Sequence, residues 1–488
     1  MKRREFMQRA GMWAAAPAFV GCLSSVDHAV AADPSARVPT AGPLRVHPKN
    51  PRYFADASGR VVYLTGSHTW NNLTDIGAGN PPPAFDFTEY LDFLERFHHN
   101  FIRLWRYEVT RWDAKATPQW TNHKDVYSAA PHPWKRTGPG EALDGQPKFD
   151  LTQFDPQYFD RLRKRVQAAR ERGIYVSVML FEGWGLQHLL NGFNWHPFNA
   201  ANNVNGIHAD IDGDGRGIEA HTLQVPAVQQ ISERYVRKVI DTVNDLDNVL
   251  YEITNETGTY SLDWQYHLIR FIKDCERDKP QQHPVGITYL HSQNKEWRGT
   301  NAVLFESPAD WISPCRPAAD GYDYRTNPPS ADGRKVILSD TDHIFAIGGD
   351  VDWVWKTFLR GHNPLFMDPY DNSVLGKTPP QSWDALRQSL GQTRRVASRV
   401  DLATMVPHGE LASTEYCLAD PGREYLVYLP EGGAVEVDLS AAREQLATEW
   451  MHPVTGATRL GDSADGGGKR TLRAPMEGAA VLLLQKAK

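Results

Sequence analysis

Apolar and polar positions along the chain follow two alternating periods between about Pro43 and Asp401. Short runs of β-branched and aromatic residues predict strands, and longer segments with apolar residues three or four positions apart predict helices. The strands are predicted at 61–70, 101–105, 174–185, 248–254, 283–290, 310–314, 334–341 and 363–368. The helices are predicted at 86–99, 156–173, 228–246, 262–279, 351–361 and 382–400.

Eight strands separated mostly by helices predict a parallel sheet of the α/β class. Eight such units over about 350 residues are typical of a (β/α)8 TIM barrel with long insertions, here over residues 43–401. The pattern is weakest in the fifth and sixth units, because 292–309 has little helical periodicity. An open doubly wound sheet is the alternative, but no glycine-rich dinucleotide fingerprint follows the early strands.

The pattern changes after Asp401, where short alternating runs are separated by Gly and Pro. Strands are predicted at 424–430, 434–440, 447–460, 470–475 and 479–485. Short alternating strands with turn residues between them indicate an antiparallel β-sandwich domain over residues 402–488.

The first 32 residues read as an export signal and are excluded from the fold. Arg3 and Arg4 precede Phe6, a weakly apolar run follows, and the small residues of HAVAAD come next, as in a twin-arginine signal peptide. We therefore expect a periplasmic or secreted protein. The stretch FVGC is a weak lipobox, so a lipid anchor at Cys22 is the alternative. No later run reaches the roughly 18 apolar residues of a spanning helix.

Charge and cysteine content exclude several classes of protein. The formal net charge of −6 gives no reason to expect nucleic acid or an anionic membrane as a partner. Cys275, Cys315 and Cys417 are too few and too scattered for a disulfide framework or a zinc site. The 15 Trp and 18 Tyr suit a groove that stacks on the apolar faces of sugar rings. Nothing in the sequence sets an oligomeric state.

The candidate functional residues stand where the predicted strands end, because TIM barrels carry their active sites at the carboxyl ends of the strands. In NVLYEITNETG, at 248–258, a buried strand ends in Asn255 and Glu256. Strand seven ends in a second pair of carboxyls, Asp340 and Asp342. The other strand-end candidates are His68, Trp70, Arg103, Glu182, Trp184, His291, His343 and Asp368.

Many carboxyl, Trp and His side chains at one rim indicate glycoside hydrolysis, which uses two carboxyl groups. One protonates the leaving oxygen, and the other attacks the anomeric carbon or activates water. Strands four and seven lie across the barrel from each other, so Glu256 and an aspartate of strand seven can flank one bond. Asn255 would then donate a hydrogen bond to a sugar hydroxyl.

Several segments of the chain resemble known glycosidases. NFIRLW at strand two, the Asn-Glu pair and the acidic end of strand seven resemble clan A glycoside hydrolases. More closely, HPKNPRYFADASGRVVYLTGSHTWNN, WVWKTFLRGHNPLFMDPYD and WMHPVTG resemble the apiosidase-like, cellulase-related family, over most of the chain from about Leu44. The resemblance implies a barrel with a C-terminal sandwich labelled collagen-binding. It also implies that Glu256 is the acid/base and that hydrolysis requires no metal.

The resemblance places the nucleophile at the end of strand seven, where the clan has Glu and this chain reads RKVILSDTDH. Aligning RKVILSD with that ending favours Asp340, while Asp342 has the same facing two residues further out. The clan implies retention of configuration. Because Asp is one methylene shorter than Glu, a wider gap between the carboxyls and an inverting mechanism stay open.

The other candidates have structural alternatives. Glu182 is a rival catalytic carboxyl, although binding of sugar hydroxyls fits it better. Arg103 is expected to orient a carboxylate through its planar fork. Asp368 can instead close a salt bridge at the rim. At least one of three strand-end tryptophans should stack on sugar while the others pack in the core: Trp70, Trp105 and Trp184.

The stretch DIDGDGRG resembles a calcium loop. Asp210, Asp212 and Asp214 occupy the alternating ligand positions, and the following Gly permits the sharp turn. His221 stands at position twelve, where a bidentate Glu is expected, and Glu219 comes two residues earlier. A structural Ca²⁺ and an acidic turn in solvent are therefore both open.

The sequence predicts an exported glycosidase that hydrolyses O-glycosidic bonds of a polysaccharide or its oligosaccharides. The alternative is a non-catalytic carbohydrate-binding protein on a decayed barrel, which a displaced strand-seven acid would support. A third hypothesis, a collagen-adhering protein, would confine binding to residues 402–488.

Overall fold

The computed structural model describes residues 40–316 and 323–486. The predicted signal segment 1–32, with Cys22, lies outside the described residues. Within them, Cys275, Cys315 and Cys417 are unpaired. No helix of the described residues combines the length and the apolar character that crossing a bilayer requires.

Eight short parallel strands curl into a nearly closed barrel, as the sequence predicts. They are β1 (Gly66–His68), β2 (Phe101–Leu104), β3 (Tyr175–Glu182), β4 (Val249–Asn255), β5 (Val285–Thr288), β6 (Trp311–Ser313), β7 (Val336–Asp340) and β8 (Asn363–Met367). Neighbours in the chain are neighbours in the sheet, and β8 pairs with β1. Between β1 and β2 the amide N–H of Asn100 donates to the Thr65 carbonyl at 3.0 Å.

Helices lie between most of the strands. They are α1 (Phe87–Arg96), α2 (Pro156–Arg170), α3 (Pro226–Val243), α4 (Leu262–Glu276), α5 (Ala302–Glu306), α6 (Val351–Leu359) and α7 (Asp384–Ala397). Two further helical turns follow strands directly, Trp184–His188 after β3 and Thr341–Ile344 after β7. The 3₁₀ turns are Ala114–Ala116, Gly192–Trp195, Ile218–His221, Thr259–Ser261, Lys295–Trp297, Pro380–Trp383 and Gly409–Leu411.

Helix α2 shows how the sequence sets these elements. The Asp155 carboxylate accepts the Gln157 N–H at 2.9 Å and caps the helix, and Pro156 takes the first position, where no N–H is needed. Tyr158, Leu162 and Val166 recur at helical spacing on the buried face. That face packs on the outward residues of β3 in one apolar core.

The barrel interior is apolar at the bottom and charged above. The lower layer includes Phe101, Tyr175, Leu250, Trp311 and Val336. Two residues further along β2 and β4, the same face carries Arg103 and Glu252, which are at most 2% exposed. Strand β5 has Gly286 here because any Cβ would lie 1.9 Å from the Trp311 indole.

Two segments differ from the sequence prediction. The link 292–309, predicted without helix, contains the short helix α5. The long segment after β2, for which the sequence predicts no element before residue 156, forms strands at Arg111–Asp113, Val126–Ala130, Trp134–Glu141 and Pro147–Phe154. Gly and Pro within Trp134–Glu141 interrupt its alternation, which hides the strand from pattern reading.

Further short strands lie outside the barrel sheet. Asp75–Ala78 pairs with Val126–Ala130, which also pairs with Arg111–Asp113. A separate three-stranded sheet consists of Arg45–Val46, Phe54–Ala55 and Val61–Val62.

The C-terminal residues form two antiparallel sheets packed face to face, as predicted. The strands are β9 (Val406–Pro407), β10 (Cys417–Asp420), β11 (Glu424–Leu429), β12 (Ala434–Asp438), β13 (Leu446–Met451), β14 (Thr458–Leu460), β15 (Lys469–Arg473) and β16 (Ala480–Lys486). The larger sheet has the order β9-β10-β11-β16-β13-β14, and β12 pairs with β15. Apolar residues of both sheets, among them Val427, Val437 and Leu482, fill the space between them.

The outer face of the larger sheet shares a core with the barrel. Leu426 and Tyr428 of β11 pack with Trp355 and Phe358 of α6. The Trp355 indole N–H also donates to the Pro453 carbonyl at 3.1 Å. Because this core is as buried as the interior of either part, we expect the barrel and the sandwich to unfold together.

We expect Leu426→Ala to lower the free energy of unfolding by about 2–5 kcal/mol, because it leaves a cavity in the shared core. Leu460→Ala is the matched control, since Leu460 is 84% exposed and its loss should change stability by less than about 0.5 kcal/mol. Denaturant unfolding checks both values. Equal effects of the two substitutions would contradict the shared core.

Candidate active site

The Arg103 guanidinium lies at the centre of the barrel mouth and connects three strands. Its Nε and Nη2 form a fork on Glu252, at 2.9 and 2.5 Å. Nη2 also donates to Asn255 Oδ1 at 2.7 Å, and Nη1 donates to Asp340 at 3.0 Å and to Asp342 at 3.1 Å. Burial acts to lower the pKa of Arg103, but the carboxylates outweigh it and raise that pKa.

Asp340 is fully engaged by its neighbours. It is 1% exposed and accepts hydrogen bonds from Arg103, from His68 Nε2 at 2.7 Å, and from the Asp342 N–H at 3.0 Å. The Trp105 indole N–H donates to His68 Nδ1 at 2.9 Å, so the ring proton of His68 is on Nε2. Burial acts to raise the pKa of Asp340, but His68 and Arg103 outweigh it and lower that pKa.

Asp342 lies two residues further out and is 7% exposed. Asp340 caps the helical turn Thr341–Ile344, and this turn carries Asp342 to the rim. Apart from the Arg103 contact, Asp342 Oδ2 lies 3.7 Å from His343 Nε2. Burial raises the pKa of Asp342 well above its usual range, the charge of Glu256 adds to this, and Arg103 opposes it.

Asn255, at the end of β4, presents a free hydrogen-bond donor. Its Oδ1 accepts from Arg103, and it lies 3.0 Å from His343 Nε2. Since Arg can only donate, the oxygen must face Arg103 and the Nδ2 group must face the other way. Nδ2 is buried and has no hydrogen-bond partner. A buried amide donor without a partner is costly, so this position suits a ligand hydroxyl.

Glu256 follows Asn255 with a φ of 50°, a left-handed conformation that is unfavourable for a glutamate. It is 7% exposed. Its Oε2 lies 3.0 Å from His188 Nε2, and His291 stacks on the His188 ring with centroids 5.7 Å apart. The nearest ring nitrogens of both histidines and the carboxyl oxygen lie within 4.8 Å of one another.

The imidazoles control the charge of Glu256. Burial acts to raise the pKa of Glu256, but cationic His291 and His188 outweigh it and lower that pKa to about 2. Burial in turn lowers the pKa of His291, and it lowers the pKa of His343 to about 3. As His291 and His343 lose their charge towards neutral pH, burial gains influence on Glu256 and favours its protonated form.

Glu256 and Asp342 therefore behave as a coupled pair. The charge of Glu256 raises the pKa of Asp342, and this effect is reciprocal. Two such carboxyls hold one proton over a wide pH range, because both cannot ionise at little cost. While His291 and His188 are cationic, the lowered pKa of Glu256 and the raised pKa of Asp342 leave the proton on Asp342. When Glu256 takes the proton, Asp342 is left ionised beside the permanent charge of Arg103.

Four of the predicted substrate contacts lie below the surface of the site. Glu182 is fully buried, with Oε1 accepting the Gly185 N–H at 2.9 Å and Oε2 unpartnered. Burial raises the pKa of Glu182 well above its usual range, and Glu108 adds to this. The other three are at most 2% exposed and form one aromatic cluster: Trp70, Trp105 and Trp184.

Asp368 forms a salt bridge. Both of its oxygens accept from Arg387 of α7, at 2.8 and 2.5 Å, and both side chains are at most 2% exposed. This bidentate pair joins the end of β8 to the outer ring of helices.

Several residues of the site were not predicted. Glu252 lies inside a strand that the sequence predicts to be buried and apolar. A charged residue within such a strand is itself an indication of a buried polar contact. His188 stands four residues after Trp184 and stacks on it with centroids 5.3 Å apart, at the spacing of one helical turn. Trp120 and Trp195 are partly exposed over the aromatic cluster, on long loops that strand-end reading leaves out.

The predicted metal ligands lie away from this site along the chain, in the segment between β3 and α3. Asp210 and Asp212 approach Glu219. The Asp214 carboxylate instead accepts the Arg216 N–H at 2.8 Å.

Solved structures share the fold of this chain. A protein named glycoside hydrolase is 12% identical with a TM-score of 0.59, over 92% of this chain and 98% of its own. A glycoside hydrolase family 5 protein from Bacteroides vulgatus is also 12% identical, with a TM-score of 0.58, over 91% of this chain and 93% of its own. At this identity the likeness establishes the fold.

The sequence comparisons are less informative. Residues 97–294 match the family model described as domain of unknown function DUF6298. This range holds β2 to β5, and with them Arg103, Asn255, Glu256 and His291. No curated protein matches the chain.

We expect Asp368→Asn to lower the free energy of unfolding by roughly 1–3 kcal/mol, because it removes the charge of one of the two carboxylates that contact buried Arg387, while Asp384 still accepts from it at 2.9 Å. Asp371→Asn is the matched control, since Asp371 is exposed and only accepts the Ser373 N–H at 2.8 Å. Its effect should stay below about 0.5 kcal/mol. Chemical denaturation measures the free energy of unfolding of both variants. An Asp368→Asn variant as stable as the wild type would contradict the structural role of the pair.

Proposed function

We propose that this protein is an exported glycoside hydrolase that cleaves O-glycosidic bonds with Glu256 and Asp342 as its two carboxyls. The observation that carries the proposal is the convergence of two nearly buried, coupled carboxyls at the mouth of a TIM barrel. Arg103 contacts Asp342 and also Asn255, which directly precedes Glu256 in the chain. One guanidinium therefore relates both carboxyl groups.

Glu256 is the acid/base in this mechanism. It protonates the glycosidic oxygen as the bond to the anomeric carbon breaks. Burial favours its proton, and cationic His291 and His188 oppose it. The facing His188 and His291 then stabilise the glutamate anion that remains. The family resemblance assigns Glu256 the same role.

Asp342 supplies the second carboxyl. Ionised beside Arg103, it attacks the anomeric carbon, and water activated by Glu256 later releases the sugar with retention of configuration. Asp340 is the positioning residue, because both of its oxygens are held by protein donors and its capping bond sets the turn that carries Asp342.

Polar and aromatic groups at the rim support a carbohydrate as the ligand. The unpartnered Asn255 Nδ2 can donate to a sugar hydroxyl beside the scissile bond. Trp120 and Trp195 are partly exposed and can stack on the apolar faces of pyranose rings. A polysaccharide or its oligosaccharides would use both kinds of contact.

The family and the export route are proposed from the sequence. The apiosidase-like segments favour that family, and the segment of Arg3 and Arg4 favours twin-arginine export to the periplasm or the medium. The sandwich packs against α6 through the shared core, which supports a structural role for it rather than collagen binding.

Sugar release from a panel of polysaccharides and aryl glycosides tests the proposal. We expect the wild type to release sugar from at least one substrate, and Glu256→Gln and Asp342→Asn each to lose at least about 10²–10⁴-fold in kcat/KM. Aryl glycosides with good leaving groups should largely rescue Glu256→Gln but not Asp342→Asn, because only the first lacks an acid. Glu436→Gln on the C-terminal sheet, 49% exposed, is the matched control.

The outcomes separate the alternatives. Full activity of Glu256→Gln on every substrate would exclude Glu256 as the acid. Sugar binding by the wild type without release from any substrate would support the non-catalytic carbohydrate-binding barrel. Loss of activity in Asp340→Asn with full activity in Asp342→Asn would transfer the nucleophile to Asp340.

We expect His291→Asn to raise kcat/KM at acid pH relative to the wild type and to leave the alkaline limb of the profile in place. Cationic His291 lowers the pKa of Glu256, so its removal keeps that acid protonated, and burial lowers the pKa of His291, so the effect is confined to acid pH. His267→Asn is the control, because His267 is 40% exposed on α4 and contacts Glu233. An alkaline limb that moves, or no gain at acid pH, would contradict this role of His291.

A further inference from the structure

A second group of carboxyls converges outside the active site, in the segment between β3 and α3. One oxygen each from Asp210, Asp212 and Glu219 lie within 4.8 Å of one another. The chain reverses between them, with Gly215 at a φ of 82° that side chains rarely adopt, and the Gly215 N–H donates to Asp210 Oδ2 at 3.0 Å.

Two of these three carboxyls have an oxygen without a protein partner. Glu219 is 4% exposed, and its Oε2 is buried with no hydrogen bond. Asp210 Oδ1 is also buried and unpartnered. Leaving carboxylate oxygens buried without a donor or a cation is costly, so the arrangement points to a positively charged ligand.

The nearby cation does not neutralise this group. Arg216 contacts Asp214, with 3.5 Å between Nε and Oδ2, and its guanidinium lies over the Trp297 ring.

We propose that Asp210, Asp212 and Glu219 bind one Ca²⁺. The ligand set contains only oxygen, which suits a hard cation rather than zinc or copper. Ca²⁺ accepts six to eight oxygen ligands in irregular geometry. Because Asp212 is exposed, the site is open to solvent on its side, and water and backbone carbonyls can complete the coordination shell. Mg²⁺ is less suited, because it requires a near-octahedral arrangement.

The structure selects ligands that differ from the sequence motif. Position twelve of the motif is His221, which offers a ring nitrogen rather than a carboxylate oxygen and lies outside this group, with its Nε2 at 2.7 Å from Glu108 Oε2. Glu219, two residues earlier, supplies the carboxyl in its place. Asp214, the third motif ligand, lies outside the group of converging carboxyls, and its carboxylate accepts the Arg216 N–H.

A cation here would order the segment that covers one side of the active site. The same segment carries His188, which contacts Glu256, and Trp195 over the aromatic cluster. The Arg216–Trp297 contact extends the effect to the segment after β5, which carries His291. The Ca²⁺ site is independent of the proposed hydrolysis, because its binding can be measured without a sugar substrate.

Calorimetric titration of the EDTA-treated full chain with Ca²⁺ tests the site. We expect one ion per chain and a rise of the unfolding midpoint by a few degrees at about 5 mM Ca²⁺, with a smaller rise in the same concentration of Mg²⁺. Glu219→Gln and Asp212→Asn should each weaken binding about tenfold or more. Asp212 is exposed, so its variant should fold normally.

Asp214→Asn is the matched control, with the same loss of charge in the same loop, and it should change the Kd less than about threefold. No heat and no rise of the midpoint in the wild type would overturn the site. So would wild-type affinity in both Glu219→Gln and Asp212→Asn. Equal weakening by Asp214→Asn would overturn this ligand set in favour of the sequence motif.

Discussion

The Arg103 guanidinium is the contact on which the mouth of the barrel depends. Three carboxyls, from Glu252, Asp340 and Asp342, share this one buried cation, and Glu256 adds a fourth carboxyl nearby. Full ionisation of all four would leave a large excess of negative charge in a region of low dielectric. One proton in the Glu256–Asp342 pair relieves part of that excess. The negative charge that remains would favour an oxocarbenium-like transition state, which gains positive charge.

Rigid elements hold the parts of the site that need fixed geometry, and loops hold the parts that face a ligand. Asn255 and Asp340 end strands, so their positions are set by sheet hydrogen bonds. His188 and His291 follow β3 and β5 on connecting segments. The sandwich adds stability at the opposite side of α6, where Trp355 and Leu426 lie in one core. Nothing in this packing resembles a hinge between independent bodies.

Reading the sequence predicted the barrel, the sandwich and the strands that carry the carboxyls, because these follow from hydrophobic periodicity and turn residues. It favoured Asp340 as the nucleophile and left Asp342 open, whereas the contacts of the two carboxyls lead us to propose Asp342. Both have the same facing on an extended strand, and they differ only because Asp340 caps a helical turn that begins at Thr341. It also placed Trp70 and Trp105 at the rim, although their burial depends on an aromatic cluster assembled from distant segments.

The same limit applies to charge. The role of Glu252, a lone charge in an apolar strand, becomes clear only from its contact with Arg103, 149 residues away. The calcium motif shows the converse case, since its spacing is local but the ligands depend on which side chains are already engaged elsewhere. His221 contacts Glu108 through Nε2, and Glu219 is the residue whose carboxyl joins Asp210 and Asp212.

The left-handed backbone of Glu256 has a consequence for how this chain would change under selection. A glycine occupies that conformation without strain, so Glu256→Gly would relieve roughly 1 kcal/mol of backbone cost. It would also free His188 and His291 from a buried carboxyl. Selection for stability alone would thus remove the carboxyl. The backbone strain measures the stability that the chain loses by keeping a glutamate at this position.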